Sequence, residues 1–248
     1  MKRVLVAILG VALFGAAKLP VEHQMSEAHR QLHFRAVDFN LGLREQVGQL
    51  GFIAALSGFR SLVADALFIQ AHVAWEQTEW GRVLLLFGRI TTLQPRTLLF
   101  WDMAAWHMAW NAGTAAANDP AQPRLALRIK AQREYFQLGK DFLERGIRNN
   151  PERPQLYEAL ARLYRDKYDD HEHAAEWYAK AALLPGAPGY TRRFAAYELA
   201  LCTGHEREAY GTLRALYNSG EKERRPTLLR RLKELEIKLD VPPGQRVP

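Results

Sequence analysis

Pro95, Pro151 and Pro185 each close a stretch in which apolar and small residues recur at helical spacing. Proline removes a backbone N–H, clashes with the turn before it, and pushes its predecessor into extended geometry. From about Leu43 onward the chain therefore reads as all-α, a solenoid of helix pairs each stopped by a proline. Leu67, Ala71 and Ala74 mark one helix, and Val83, Phe87 and Ile90 the helix paired with it, before Pro95. After Pro154 the marks are Tyr157, Leu160, Ala161 and Tyr164, then Ala174, Tyr178 and Ala181, before Pro185. That hairpin carries one extra residue at its turn. A further hairpin runs through Phe194, Tyr197 and Leu201, turns at Gly204, and returns through Ala209, Leu213 and Leu216.

The stretch from Pro95 to Pro151 is longer. Trp101, Ala105 and Met108 open its first helix, and Phe142 and Gly146 precede its closing proline. It spans 56 residues, about 22 more than the ~34 of a common two-helix repeat. Its turn is expected at Asn118, Asp119, Pro120 and Pro123, all turn formers. Both helices are then extended, by about two to three turns each, and project from one edge as a candidate partner surface. Beyond the hairpins, Leu228, Leu229, Leu232, Leu235 and Leu239 describe an amphipathic capping helix within 221–241, ended by Pro242 and Pro243. Residues 242–248 read as a tail.

At the other end, Lys2 and Arg3 precede the apolar run Val4–Ala17. A charged start followed by an apolar run is the pattern of an export signal. As a helix the run reaches only ~21 Å against a ~30 Å bilayer core, and extension to Val21 lengthens it. Residues 1–21 are therefore read as a signal peptide or a membrane anchor, and 22–44 as a juxtamembrane linker. The positive N-terminus stays in the cytoplasm. The expected location is the cell envelope: anchored in the inner membrane and facing the periplasm, or periplasmic or secreted after cleavage.

The net charge is +7, but acidic residues are interleaved throughout. That favours solvated arginines on helix faces over a nucleic-acid surface. A single cysteine, Cys202, excludes an internal disulfide and a thiolate metal cluster; in a helical pattern it reads as a small buried residue. No glycine-rich phosphate loop or zinc-protease motif occurs. The strongest metal candidate is Asp169-Asp170-His171-Glu172-His173. Adjacent residues on a turn rarely converge on one ion, so no metal or cofactor is assigned and no enzyme is expected. His107 and Asp102 lie five residues apart on one helix, about 140° apart around it, so they do not make a catalytic pair.

With large residues near positions 4, 11 and 24, small ones near 8, 20 and 27, and proline near 32, the hairpins from Ala64 to Asn218 resemble tetratricopeptide repeats. Gly58-Phe59-Arg60, Ala64 to Phe68, Leu93 to Arg96 and Trp101 to Asn111 also resemble exported or membrane-anchored tetratricopeptide proteins of Verrucomicrobia-like bacteria. The resemblance implies a right-handed α-solenoid over 45–220 that binds a protein or peptide on its concave face. First-helix positions place Phe68, His72 and Trp75, then Asp102, Trp106 and Trp110, then Glu158, Arg162, Arg165 and Asp166 on that face. The family's carboxylate clamp needs Lys and Asn where this chain has Phe68 and His72, Asp102 and Trp106, or Glu158 and Arg162, which argues against capture of a peptide C-terminus. The expected function is a non-catalytic scaffold or adaptor for a protein partner, engaged through the groove or the long hairpin. The alternative is an envelope polysaccharide binder that uses the same Trp and Arg side chains. If the apolar segment Leu43–Phe59 folds across the groove, the aromatics are core instead.

Overall fold

The computed structural model describes residues 58–248, and these are helical with no strand among them. The export signal or anchor, the linker and residues 43–57 lie outside the described residues. No helix among the described residues is long and apolar enough to cross a membrane. The chain divides into two compact units, Met1–Met108 and Ala109–Pro248.

In the first unit α1 (Arg60–Glu76) packs against α2 (Trp80–Leu93), and α2 against α3 (Leu98–Trp106). The expected marks are its core: Ala71, Ala74, Val83, Phe87 and Ile90 are all essentially inaccessible, joined by Ala64, Ala104 and Ala105. Leu67 is only half-buried. Trp101 is buried and donates its indole N–H to Pro95 O at 2.9 Å. The residue that ends one hairpin thus satisfies the largest polar-tipped side chain of the next. Thr91, also buried, donates its hydroxyl to Phe87 O at 2.8 Å. The turn from α1 to α2 closes when Thr78 N–H donates to Trp75 O and Glu79 N–H to Ala74 O, with Thr78 at φ +56°. A β-branched residue is strained there.

In the second unit the helices are α4 (Gly113–Ala117), α5 (Leu125–Asn149), α6 (Pro154–Leu163), α7 (His171–Ala182), α8 (Gly189–Leu199), α9 (Glu206–Asn218) and α10 (Pro226–Lys238). Each packs on its neighbour in sequence wherever the two form a hairpin or adjoin one, and α8 also touches α10. Pro154 and Pro226 sit in the first turns of α6 and α10, where a missing N–H costs nothing. The long hairpin turns between Ala117 and Leu125, as expected, and α5 is 25 residues long. Gly204, at φ +90°, turns the chain between α8 and α9, and Ala209, Leu213 and Leu216 are buried behind it. Leu201 departs from expectation: α8 ends at Leu199, so Leu201 falls on the turn and is exposed.

The capping helix buries Leu228, Leu232 and Leu235 against Tyr197 and Leu213. The tail is part of this core. Val247 is buried with them, and its N–H donates to the Glu236 carboxylate at 2.9 Å. Glu236 is itself buried and is paired with Arg214 at 3.3 Å, so the charge is compensated and hydrogen-bonded.

Replacing Thr78 by Gly is expected to stabilise the protein by roughly 0.5–1 kcal/mol, because the left-handed strain is removed at no contact cost. Thermal denaturation reads this as a higher Tm; an unchanged or lower Tm contradicts strain at that turn.

Candidate functional site

Twelve residues separate Ala71 from Val83, the closely packed small positions of the first hairpin, whereas thirteen separate Ala161 from Ala174. The structure shows where the extra residue goes. After α6 the chain widens into a π-helical turn, Tyr164–Tyr168. Such a turn takes up one residue without disturbing the helix on either side. Asp169 leaves it at φ +54° and Asp170 N–H closes back on Tyr164 O at 3.1 Å. Asp170 then caps α7, accepting from His173 N–H at 3.0 Å. A second π-helical turn, His107–Ala112, joins α3 to α4.

These two turns carry Trp110, Arg165 and Asp166, all expected site residues. They meet through a residue that the sequence did not single out. Lys167 Nζ lies 5.1 Å from the centre of the Trp110 ring and 5.6 Å from that of Phe136 on α5. Phe136 packs edge-on to Tyr168, Tyr168 against Tyr164, and Tyr164 stacks on His173 at 5.0 Å. Desolvation by these rings pulls the Lys167 ammonium below its ordinary pKa, partly opposed by Asp166. The cation–π contacts offset that desolvation.

Beside this cluster lies a charged network. Arg165 donates through Nε to Asp166 at 2.6 Å and through Nη1 to the Tyr178 hydroxyl at 3.4 Å. Its Nη1 is 3.9 Å from Glu198, whose other oxygen lies 2.7 Å from His171 Nδ1. Glu198 is nearly inaccessible, so these two partners, rather than water, satisfy its carboxyl oxygens. Burial pushes the Tyr178 hydroxyl up to about 12. Cys202 is half-buried rather than buried, and its thiol donates to Glu198 O at 3.4 Å. Burial, then Glu172, Glu198 and Asp170, push that thiol up, so it is no activated nucleophile. Glu158 accepts from Tyr190 at 2.8 Å, which links the first helices of successive hairpins, and Arg162 is exposed one turn on. His173 turns back to Asp170 at 2.7 Å while His171 reaches across to Glu198. Among the described residues no three His, Cys, Asp or Glu side chains converge to hold a metal ion.

The remaining expected residues lie in the first unit. Phe68 is half-buried between Phe87 (6.0 Å) and Phe100 (5.5 Å), so it serves the core. His72 is exposed beside Glu76, 3.5 Å away. Trp75 spans His72 and His107, and Asp102 is half-buried. Trp106 is 42 % exposed, edge-on to His107 at 5.1 Å. The hub is His107. It is buried, ringed by Trp75, Phe87 and Trp106, with centroids 5.1–5.6 Å away. Its burial, and secondarily His72, lower its pKa from 6.5 to about 4, so it is a neutral imidazole at pH 7. No single residue in the sequence marks this role; the signal is the Trp at the position before it and the aromatics one hairpin away.

No family model matches this chain, and no curated protein or solved structure does either.

The buried imidazole sets a pH dependence. Its folded pKa lies below that of the unfolded chain, so the unfolded state binds the proton first. Stability is full above about pH 6.5 and falls as pH drops toward 4, by on the order of 2–3 kcal/mol in total. Denaturation midpoints across this range are expected to flatten in His107→Phe; an equal slope in that variant assigns the acid limb elsewhere. Removing the nearly buried carboxylate by Glu198→Ala, which takes away the 2.7 Å partner of His171 Nδ1 and one of the contacts of Arg165, is expected to cost about 1–3 kcal/mol. Chemical denaturation measures that loss.

Proposed function

We propose that this chain is a non-catalytic scaffold with tetratricopeptide-like architecture, held at the cell envelope, that takes a protein partner on the face built from α6 and its π-helical turn. The first-helix/second-helix packing of α6 with α7 and α8 with α9 supports the repeat reading, as does the contact of α8 with α10, the two first-helix positions that follow α6. So do the fully buried alanines at the close-packed positions.

The observation that carries the binding reading is the make-up of the α6 face. Gln155, Arg162 and Asp166 are exposed, Glu158 and Arg165 are half-buried, and Tyr190 and Phe194 continue the row on α8. Arginine and tyrosine on a rigid helical support are the side chains that concentrate binding energy. Arg165 and Glu158 are held in place by Asp166 and Tyr190, so little side-chain freedom is lost when a partner docks.

A photo-reactive amino acid in place of Gln155, in intact source cells, is expected to crosslink to a discrete protein that resists glycosidase digestion. Arg162→Glu is expected to abolish that crosslink with helicity unchanged. Crosslinks that survive Arg162→Glu, or that run only within the chain, remove this face from the reading. A glycosidase-sensitive product identifies a polysaccharide ligand instead.

A further inference from the structure

The buried face of α5 consists of Phe136, Gly139, Phe142, Leu143, Gly146 and Ile147. Leu125, Ile129 and Gln132 lie on the same face, stepping back from Phe136 by three or four residues. Yet Leu125 is 60 % exposed and Ile129 38 %. The apolar stripe runs on beyond the buried part of α5 into the hairpin tip, where the turn 118–124 is itself mostly exposed. Leu127, on the opposite side of the helix, is 41 % exposed. Apolar side chains therefore face outward all round the tip of the long hairpin.

The same turns carry Arg124, Arg128, Lys130 and Arg133, with only Asp119 and Glu134 as nearby acids. Glu134 is 3.9 Å from Lys130, and Asp119 accepts the backbone N–H of Ala121. The side chains of Arg124, Arg128 and Arg133 make no ion pair among the described residues. A surface that is apolar and basic together selects its occupant by charge. A second copy of the tip brings four like charges against four. A nucleic acid leaves the leucines unburied. An anionic lipid surface accommodates both, with apolar groups ~5–10 Å below the headgroups and arginines snorkelling up to them. The rise from Leu125 to Ile129, ~6 Å, fits that depth.

We propose that the tip of the long hairpin, residues 118–133, inserts Leu125, Leu127 and Ile129 into the interface of an anionic bilayer, while Arg124, Arg128, Lys130 and Arg133 pair with its acidic headgroups. This contact is independent of the α6 face and of how that face is used.

The test uses the full-length chain with Cys202→Ser, which keeps a donor to Glu198 O, and a polarity-sensitive fluorophore on Ala126→Cys at the exposed tip. The same fluorophore on Ala179→Cys, exposed on α7, is the control. A local readout separates the tip from any other apolar segment of the chain. With vesicles containing phosphatidylglycerol, the tip probe is expected to shift to the blue and to be quenched by nitroxide-labelled lipid; the control probe stays unchanged. Phosphatidylcholine vesicles alone leave both unchanged. Leu125→Asp with Leu127→Asp abolishes the shift, and Leu127→Asp alone does so if the pair perturbs folding. Each of Arg124→Gln and Arg128→Gln weakens vesicle affinity on the order of fivefold. The proposal is overturned by any of four results: no shift at the tip, an equal shift with phosphatidylcholine, a shift that survives both Leu127→Asp and the double variant, or a shift that needs only more protein or an acidic protein and no vesicles.

Discussion

Alanine at the crossing points is the constraint on which the helix packing depends. Ala64, Ala71 and Ala74 on α1, Ala104 and Ala105 on α3, and Ala161, Ala174 and Ala181 in the α6–α7 hairpin are all at or below 1 % exposure. A methyl group lets two helix backbones approach closely, and the larger residues on either side then fill the grooves. In the first unit those residues are Phe87, Ile90 and Trp101; in the α6–α7 hairpin they are Leu160, Leu163 and Tyr178. A bulkier residue at any of these alanines separates the helices and opens voids along both. Glu158–Tyr190 and Arg165–Tyr178 are short-range contacts that require the close approach the alanines allow.

One inserted residue has consequences out of proportion to its size. A single added residue in a regular α-helix rotates everything beyond it by 100°. The π-helical turn at Tyr164–Tyr168 confines the disturbance, so Ala174 and Tyr178 still face the core of their hairpin. What changes is the outside. The widened turn presents Arg165 toward Tyr178 and Glu198 and lays Lys167 over Trp110. The π-helical turn after α3 does the same for Trp110. Aromatic and cationic side chains are thereby gathered at two local departures from ideal helix, the kind of place where functional sites recur.

The buried polar groups follow one rule. Glu198 and Glu236 each meet polar partners in the core: Arg165 and His171 for the first, Arg214 and Val247 N–H for the second. At His107, burial lowers the pKa to about 4, and the imidazole is neutral at pH 7. Both outcomes avoid an unsolvated, unpaired charge. Glu236 also explains why residues 242–248 are more than a tail: a buried carboxylate needs donors, and the backbone of Val247 supplies one while its side chain extends the core.

Much of the helical framework was written in local spacing. The paired helices, the turn at 118–124, the Gly204 turn, the capping helix and most of the core alanines follow from period and proline placement, because backbone geometry acts over a few residues. The extra residue after Ala161 was legible too, as a shift of register, although not as a π-helical turn. Which expected site residues come together depended on the tertiary structure. Phe68 turned into the core because Phe87 and Phe100 flank it from two other helices. Lys167, Glu198 and Val247 took on roles that no neighbour in sequence announces, since their partners lie 27 or more residues away, or 11 residues away across a chain reversal. Sequence period sets which face of a helix is apolar. Only packing sets what that face meets, because contact depends on distances in space that local spacing does not encode.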